Sequence, residues 1–86
     1  MHWVTTARYR QKYEIVIGFE NGKSKLVDLA NYLDKGILLE LKDLNMFKRF
    51  SVNHDTDTIE WDNGADLSPD FLYEIGTSID KSLVAA

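Results

Sequence analysis

Few side chains in this sequence combine a type and a spacing suited to metal binding or catalysis. His54 is followed by Asp55 and Asp57, and an imidazole beside carboxylates is a ligand set for divalent cations. The segment that begins at Asp55, however, lacks an oxygen ligand and a glycine where a calcium loop of the EF-hand type requires them. We therefore interpret His54 as a residue at a strand end that leads into an acidic turn, and His2 as a residue close to a flexible terminus.

Asp62, Asp66 and Asp70 form the second candidate cluster for chemistry. Carboxylates act as general acid and base when their surroundings separate their pKa values. Each of the three also has a structural use, which is turn formation for Asp62 and Asp66 and complementing the helix dipole for Asp70. We therefore predict a protein that is not an enzyme and has no catalytic residues, cofactor or metal. The alternative is a small metal-binding or ligand-binding domain, or an enzyme, that uses these three aspartates.

The charges of the chain are unevenly distributed. Its 86 residues include 10 Lys and Arg against 14 Asp and Glu, and the acidic excess is concentrated in residues 55–74, called the acidic segment below. This segment contains no Lys or Arg, so it would repel a phosphate backbone and favour a basic protein partner. Its acidic residues are Asp55, Asp57, Glu60, Asp62, Asp66, Asp70 and Glu74.

A short basic run in the first half is the candidate for nucleic-acid binding. Arg8, Arg10 and Lys12 alternate with Tyr9 and Tyr13, an interleaving that single-strand binders use. A basic run this short is more typical of a solvated strand end and turn. Direct nucleic-acid binding is therefore not the expected function.

Several classes of protein are excluded by what the composition lacks. The chain has no cysteine, which rules out a disulfide scaffold and a thiolate nucleophile. Its apolar runs are far shorter than the roughly 18 residues that a transmembrane helix needs. The N-terminus has neither the basic nor the apolar region of a secretory signal. We expect a cytoplasmic protein without a membrane span.

Alternation of apolar residues predicts an antiparallel meander in the first third of the chain. Residues 13–19 carry apolar side chains at every second position, as a half-buried strand does. Residues 3–9 are predicted to pair with this strand. Residues 23–28 follow it after Asn21-Gly22, the favoured pair for a two-residue hairpin loop with positive φ at both positions. The connections are too short for parallel pairing.

The second half of the chain predicts a hairpin flanked by helices. Asp43 is a candidate N-cap of a short helix, and residues 50–54 and 58–61 alternate as two strands. Ser68 is a candidate N-cap followed by Pro69 at the first helical position, a strong start signal for the last helix.

The last helix contains a glycine in its apolar stripe, which extends at helical spacing from Phe71 to Ile79 and Leu83. Gly76 weakens a helix by about 1 kcal/mol relative to alanine. We therefore assign residues 1–76 to one α+β domain and residues 77–86 to a helix continuation or flexible tail. The predicted fold is a small antiparallel sheet, with a three-stranded meander plus a second hairpin, short helices and a C-terminal helix.

Residues 58–74 carry the longest motif in the chain. They read Thr-Ile-Glu-Trp-Asp-Asn-Gly-Ala-Asp-Leu-Ser-Pro-Asp-Phe-Leu-Tyr-Glu, which resembles the end motif of a bacterial domain family of unknown function, numbered 2442. The family pattern is close to I-x-W-x-N-G-A-D-L-x-P-D-x-L-Y-E. Upstream, Phe19-Glu-Asn-Gly and Leu26-Val-Asp-Leu are similar to the family's hairpin, and residues 41–47 to its short helix. Asp62 departs from the pattern, because many members have proline there.

The resemblance implies a small α+β domain without an established activity. It also implies a context, since similar domains occur beside a second small family of unknown function, numbered 4160, in an arrangement like a toxin–antitoxin pair. We therefore expect a protein–protein interaction domain, the antitoxin-like member of a two-gene pair, that binds a basic neighbouring-gene product; homo-oligomerisation stays open. A structural turn and helix cap is the competing interpretation of the motif. The candidate docking residues are Trp61, Asn63, Gly64, Asp66, Pro69, Asp70 and Tyr73.

Overall fold

Six β-strands, two α-helices and two 3₁₀ helices follow one another along residues 2–79, the part of the chain that the computed structural model describes. The strands form a four-stranded and a two-stranded antiparallel sheet, and the fold is α+β as predicted. The elements are β1 (Val4–Gln11), β2 (Glu14–Phe19), β3 (Ser24–Asp28), the 3₁₀ helices Ala30–Tyr32 and Gly36–Lys42, α1 (Leu44–Phe47), β4 (Phe50–Asn53), β5 (Thr58–Trp61), α2 (Pro69–Ile75) and β6 (Thr77–Ser78).

The first three strands form the predicted meander. β1 pairs with β2, and β2 pairs with β3, both antiparallel. Ile15, Ile17 and Phe19 of β2 are buried, whereas the residues between them are only half-buried. The alternation follows from the period of a strand, which points successive side chains to opposite faces of the sheet.

The turn between β2 and β3 is not the predicted two-residue loop. The Gly22 N–H donates to the Phe19 carbonyl oxygen (3.0 Å), and the Phe19 N–H donates to the Lys23 carbonyl oxygen (2.9 Å). In this turn only Gly22 has a positive φ, of 84°. The result is a three-residue loop, a type I turn closed by a left-handed glycine, and not the loop that would need positive φ at Asn21 as well.

Thr77 and Ser78 add a fourth strand to the meander. They form β6, which pairs antiparallel with Leu26 and Lys25 at the free edge of β3. A helix continuation is therefore wrong for these two residues. Residues 80–86, including Leu83 of the predicted stripe, lie outside the described residues, so the division of the chain near residue 76 stays a prediction.

Gly76 ends α2 for a steric reason. Its backbone is extended, with φ of −71° and ψ of 151°, which any residue can adopt. A Cβ at this position, however, would lie 2.9 Å from the Cβ of Lys25 and 3.0 Å from the carbonyl oxygen of Leu72. Glycine therefore lets the chain leave the helix close against β3 and continue as β6.

The second half of the chain has the predicted hairpin and both predicted caps. β4 and β5 pair antiparallel from Phe50–Trp61 to Asn53–Thr58. The side chain of Asp43 accepts from the Asn45 N–H (2.9 Å) at the start of α1, and that of Ser68 accepts from the Phe71 N–H (3.4 Å) at the start of α2.

One hydrophobic core is shared by both halves of the chain. It lies between the inner face of the four-stranded sheet and the second hairpin with its helices. Within residues 2–79, no helix is long and apolar enough to cross a membrane. The buried core residues are Val4, Ile15, Ile17, Phe19, Val27, Leu29, Leu33, Leu41, Phe47, Ile59, Trp61, Ala65 and Leu72.

Candidate partner-docking surface

The chain turns sharply after β5, around a buried tryptophan. The Trp61 ring is buried, and its Nε1 donates to the Phe47 carbonyl oxygen (2.8 Å). The Gly64 N–H donates to the Trp61 carbonyl oxygen (2.9 Å), and the Trp61 N–H donates to the Ala65 carbonyl oxygen (2.8 Å). Gly64 has a φ of 89°, and Ala65 is only 2% exposed. Trp61 and Ala65 therefore belong to the core, and Gly64 supplies the backbone conformation that the turn needs.

Asn63 joins this turn to the second 3₁₀ helix. Its Oδ1 accepts from the Ala65 N–H (3.0 Å) within the turn. Its Nδ2 donates to Glu40 Oε1 (3.0 Å) and to the Ile37 carbonyl oxygen (3.4 Å). One side of the amide thus stabilises the turn, and the other holds it beside a segment more than 20 residues earlier in the chain.

Beyond the turn, the chain runs back along β5 to the cap of α2. Asp66 forms a β-bridge with Glu60, and the Thr58 hydroxyl donates to the Leu67 carbonyl oxygen (2.6 Å). The backbone of Asp66 is therefore paired while its side chain faces solvent. Pro69 then occupies the first helical position, where its missing N–H costs nothing.

The N-terminal residues are attached to the start of α2. The His2 N–H donates to Asp70 Oδ1 (3.0 Å), and its Nδ1 lies 3.4 Å from the same oxygen. The His2 ring also stacks on Tyr73, with centroids 3.6 Å apart and planes 9° from parallel. The sequence indicated only that His2 lies close to a flexible terminus, whereas in the structure both its backbone and its ring have defined partners.

Tyr73 is the centre of a small polar network between α2 and the β2–β3 hairpin. The Nζ of Lys25 lies 3.7 Å from the ring centroid and donates to the Tyr73 carbonyl oxygen (2.7 Å). Asn21 Nδ2 donates to the phenol oxygen (3.3 Å). This hydrogen bond lowers the pKa of Tyr73; partial burial opposes it, and the charges of Lys23 and Lys25 act in the same direction as the hydrogen bond.

The three aspartates of the alternative hypothesis do not form a metal site. Asp62, Asp66 and Asp70 are all exposed, and Asp70 is occupied by its contacts with His2. In the described part of the chain, no group of three or more His, Cys, Asp or Glu side chains is arranged to hold a metal ion. The geometry therefore gives no support to metal chemistry at this cluster.

The basic run at residues 8–13 lacks the geometry of a base-stacking platform. Tyr9 and Tyr13 are half-buried, and both rings pack edge-on against Phe47, with centroids 6.2 Å and 5.2 Å away. The Tyr13 hydroxyl also donates to the Lys42 carbonyl oxygen. Single-strand binders need aromatic faces open to successive bases, and these two rings are instead used by the core.

Four large apolar side chains that are not among the candidate docking residues are exposed between residues 32 and 44. Their exposed fractions are 38% for Tyr32, 46% for Ile37, 50% for Leu39 and 38% for Leu44. The signal in the sequence is the uninterrupted run Ile37-Leu38-Leu39, because no helical period can point three consecutive side chains inward.

Comparison with known families settles the family of the chain. Residues 4–78 match the family described as protein of unknown function (DUF2442). The chain belongs to this family. No curated protein and no solved structure matches it. The matched range ends at β6, so this DUF2442 domain includes the short fourth strand of the sheet.

The geometry divides the seven candidate docking residues of this DUF2442 domain into two groups. Trp61, Asn63, Gly64, Pro69 and Tyr73 have defined structural contacts or backbone roles. The side chains of Asp66 and Asp70 are exposed, although that of Asp70 also contacts His2. A docking role for the whole set stays a prediction, but an incoming partner would meet the carboxylates rather than the buried Trp61.

Proposed function

We propose that this DUF2442 domain is a non-enzymatic protein–protein interaction domain, the antitoxin-like member of a two-gene pair, which binds a basic protein through its acidic segment. The supporting observation is the state of the carboxylates in this segment. Five of the seven are exposed, and one of these five, Asp70, has an ion-pair contact with His2 (3.4 Å). The carboxylates that face solvent are Asp55, Asp62, Asp66, Asp70 and Glu74.

Two parts of the acidic segment that are distant in sequence contact the same N-terminal residues. The Val4 N–H donates to the Asp57 carbonyl oxygen (2.9 Å), and the His2 N–H donates to Asp70 (3.0 Å). The N-terminal residues therefore connect the turn of the second hairpin to the start of α2. Concentrated charge of one sign accelerates encounter with a partner of opposite sign and repels others.

Co-expression with the adjacent gene product, followed by size-exclusion chromatography, tests this proposal. We expect the two proteins to elute as one complex at low salt and to separate progressively as salt rises, because exposed charges are screened. The double variant Asp62→Asn with Asp66→Asn should weaken the complex, since both carboxylates face solvent.

The double variant Glu20→Gln with Asp28→Asn is the matched control for this experiment. Both residues are also exposed but lie outside the acidic segment, and the two substitutions change the charge by the same amount. It should leave the complex unchanged. Two independent peaks at both low and moderate salt would contradict the proposal. Equal effects of the control and of the Asp62/Asp66 variant would also contradict it.

A further inference from the structure

We propose that the exposed apolar residues of the second 3₁₀ helix, Ile37 and Leu39, form the hydrophobic centre of the docking surface, and that the partner presents an amphipathic segment with apolar side chains flanked by Lys or Arg. This inference rests on the proposed function and adds the chemistry of the partner. It also places the strongest contacts outside the acidic segment, on residues 36–44.

The geometry of the 3₁₀ helix explains why these residues are exposed. With three residues per turn, side chains three positions apart lie on one row. Leu38 and Leu41 occupy the inward row, where Leu41 is fully buried. Ile37 lies on a row with Glu40, and Leu39 lies on a row with Lys42, so each outward row carries one apolar and one charged side chain.

Two contacts join this apolar region to the motif that follows β5. Asn63 Nδ2 donates to Glu40 Oε1 (3.0 Å) and to the Ile37 carbonyl oxygen (3.4 Å), which places Ile37 beside the turn that carries Asp62. At the other end, the ring of exposed Tyr32 packs edge-on against Phe71 of α2, with centroids 5.2 Å apart. The apolar region therefore adjoins the acidic segment at Ile37 and at Tyr32.

The charge of this surface selects a basic partner over a second copy of the chain. Residues 34–49 and 62–74 together contain seven Asp and Glu against four Lys and Arg. Two copies that met through this surface would bring like charges together, which costs free energy. A segment with apolar side chains between basic ones would cover Ile37 and Leu39 and complement the surrounding carboxylates.

Binding of model peptides, followed through the amide NMR signals of the domain, tests the inference. The first peptide is an amphipathic helix of Leu and Lys; the second replaces its Leu with Ser, and the third replaces its Lys with Glu. We expect the Leu–Lys peptide to shift signals of residues 36–44 and of residues 62–66. The Ser–Lys peptide should affect only the acidic segment and dissociate as salt rises, and the Leu–Glu peptide should not bind.

Two substitutions at one position serve as variant and matched control. Leu39→Ser should weaken binding of the Leu–Lys peptide roughly fivefold to tenfold, because the exposed half of the Leu39 side chain would otherwise be buried by the peptide. Leu39→Met keeps the apolar contact and should bind as the unsubstituted domain does. Leu39 is half exposed, so both variants should fold, which their amide spectra would verify.

The outcomes separate this inference from the function on which it rests. If both cationic peptides perturb only the acidic segment, the apolar centre is wrong while the acidic interaction survives. If neither perturbs the domain, both proposals fail. Equal binding of the Leu–Glu peptide would overturn the requirement for a basic partner, and dimerisation of the domain that Leu39→Ser abolishes would assign the surface to a second copy.

Discussion

The two Asn-Gly turns of this protein have the same local geometry but different surroundings. One follows Phe19 and the other follows Trp61, and in both the glycine N–H donates to the carbonyl oxygen of that aromatic residue (3.0 Å and 2.9 Å). The asparagine Oδ1 accepts from the N–H two residues later, at 3.0 Å in each turn. The φ of Gly22 is 84° and that of Gly64 is 89°.

The difference between the turns lies in what each one contacts. The residue after the first glycine is exposed Lys23, whereas the residue after the second is buried Ala65. The amide nitrogen of Asn21 reaches the hydroxyl of Tyr73, and that of Asn63 reaches Glu40 and the backbone of the second 3₁₀ helix. Five residues of similar sequence thus make a solvent-exposed hairpin loop in one place and part of the core in the other.

Replacing the residue after each glycine should give the largest difference between the turns in the free energy of unfolding. Ala65→Lys places a long charged side chain in a site that is 2% exposed, and we expect it to lower the free energy of unfolding by about 3 kcal/mol. Lys23→Ala, at an exposed position, should change the same quantity by less than about 0.5 kcal/mol. Urea unfolding measures both. Similar losses in the two variants would show that the second turn is not part of the core.

Replacing either glycine with alanine should lower the free energy of unfolding by nearly the same amount. Gly22→Ala and Gly64→Ala both force alanine into positive φ, while neither added Cβ meets another atom. Each should therefore cost about 1 kcal/mol of stability in urea unfolding. Asparagine at the same positions should cost less, because its side chain tolerates this conformation. A clearly larger loss at Gly64 would indicate that the backbone conformations of the turns are not equivalent.

Changing the asparagine to aspartate tests the long-range contact of each turn. The substitution keeps the oxygen that accepts within the turn but removes the amide donor. Asn63→Asp should cost about 1 kcal/mol, because it loses the bond to Glu40 and puts two carboxylates together. Asn21→Asp should cost less, since Asn21 is exposed.

The double variant Asn63→Asp with Glu40→Gln is the control for this prediction. It removes the repulsion between the two carboxylates, so part of the lost stability should return. Additive losses in the double variant would show that Asn63 and Glu40 are not energetically coupled.

The smallest expected effect is a change in the ionisation of Tyr73. The Asn21 hydrogen bond lowers the pKa of Tyr73 below its ordinary value of 10.0. Asn21→Ala should raise this pKa, measured as the tyrosinate absorbance that Tyr73→Phe removes. A lowered pKa means that, as pH rises, the folded state loses the phenol proton at a lower pH than the unfolded state does. The stability from this group is therefore absent at neutral pH and present above pH 10.0. An unchanged titration in Asn21→Ala would show that the hydrogen bond is not the cause.

Signals that act over a few residues allowed most of the local structure to be predicted. The alternation in residues 13–19 predicts β2, and Asp43 and Ser68 predict the starts of both α-helices. These signals arise from backbone conformation and from hydrogen bonds between near neighbours, so they need no knowledge of the rest of the fold. The motif at residues 58–74 similarly predicted the DUF2442 family.

The candidate site was less predictable because its residues depend on distant partners. The motif marks Trp61 and Asn63 as notable, but only the fold shows that Trp61 is buried against Phe47 and that Asn63 contacts Glu40. The apolar run at residues 37–39 indicates that some of its side chains are exposed, but the three-residue period of the helix decides that Leu39 is one of them. A surface depends on which side chains the core leaves outside.

The amino-acid sequence by itself determined the strands of the meander, the helix starts and the family, since each depends on residues close together in the chain. The tertiary structure decided that one turn enters the core, and that Thr77 and Ser78 pair with the free edge of β3. It also placed Ile37 beside the acidic segment. These outcomes depend on contacts between residues far apart in sequence, whose free energy exists only when the whole chain is folded.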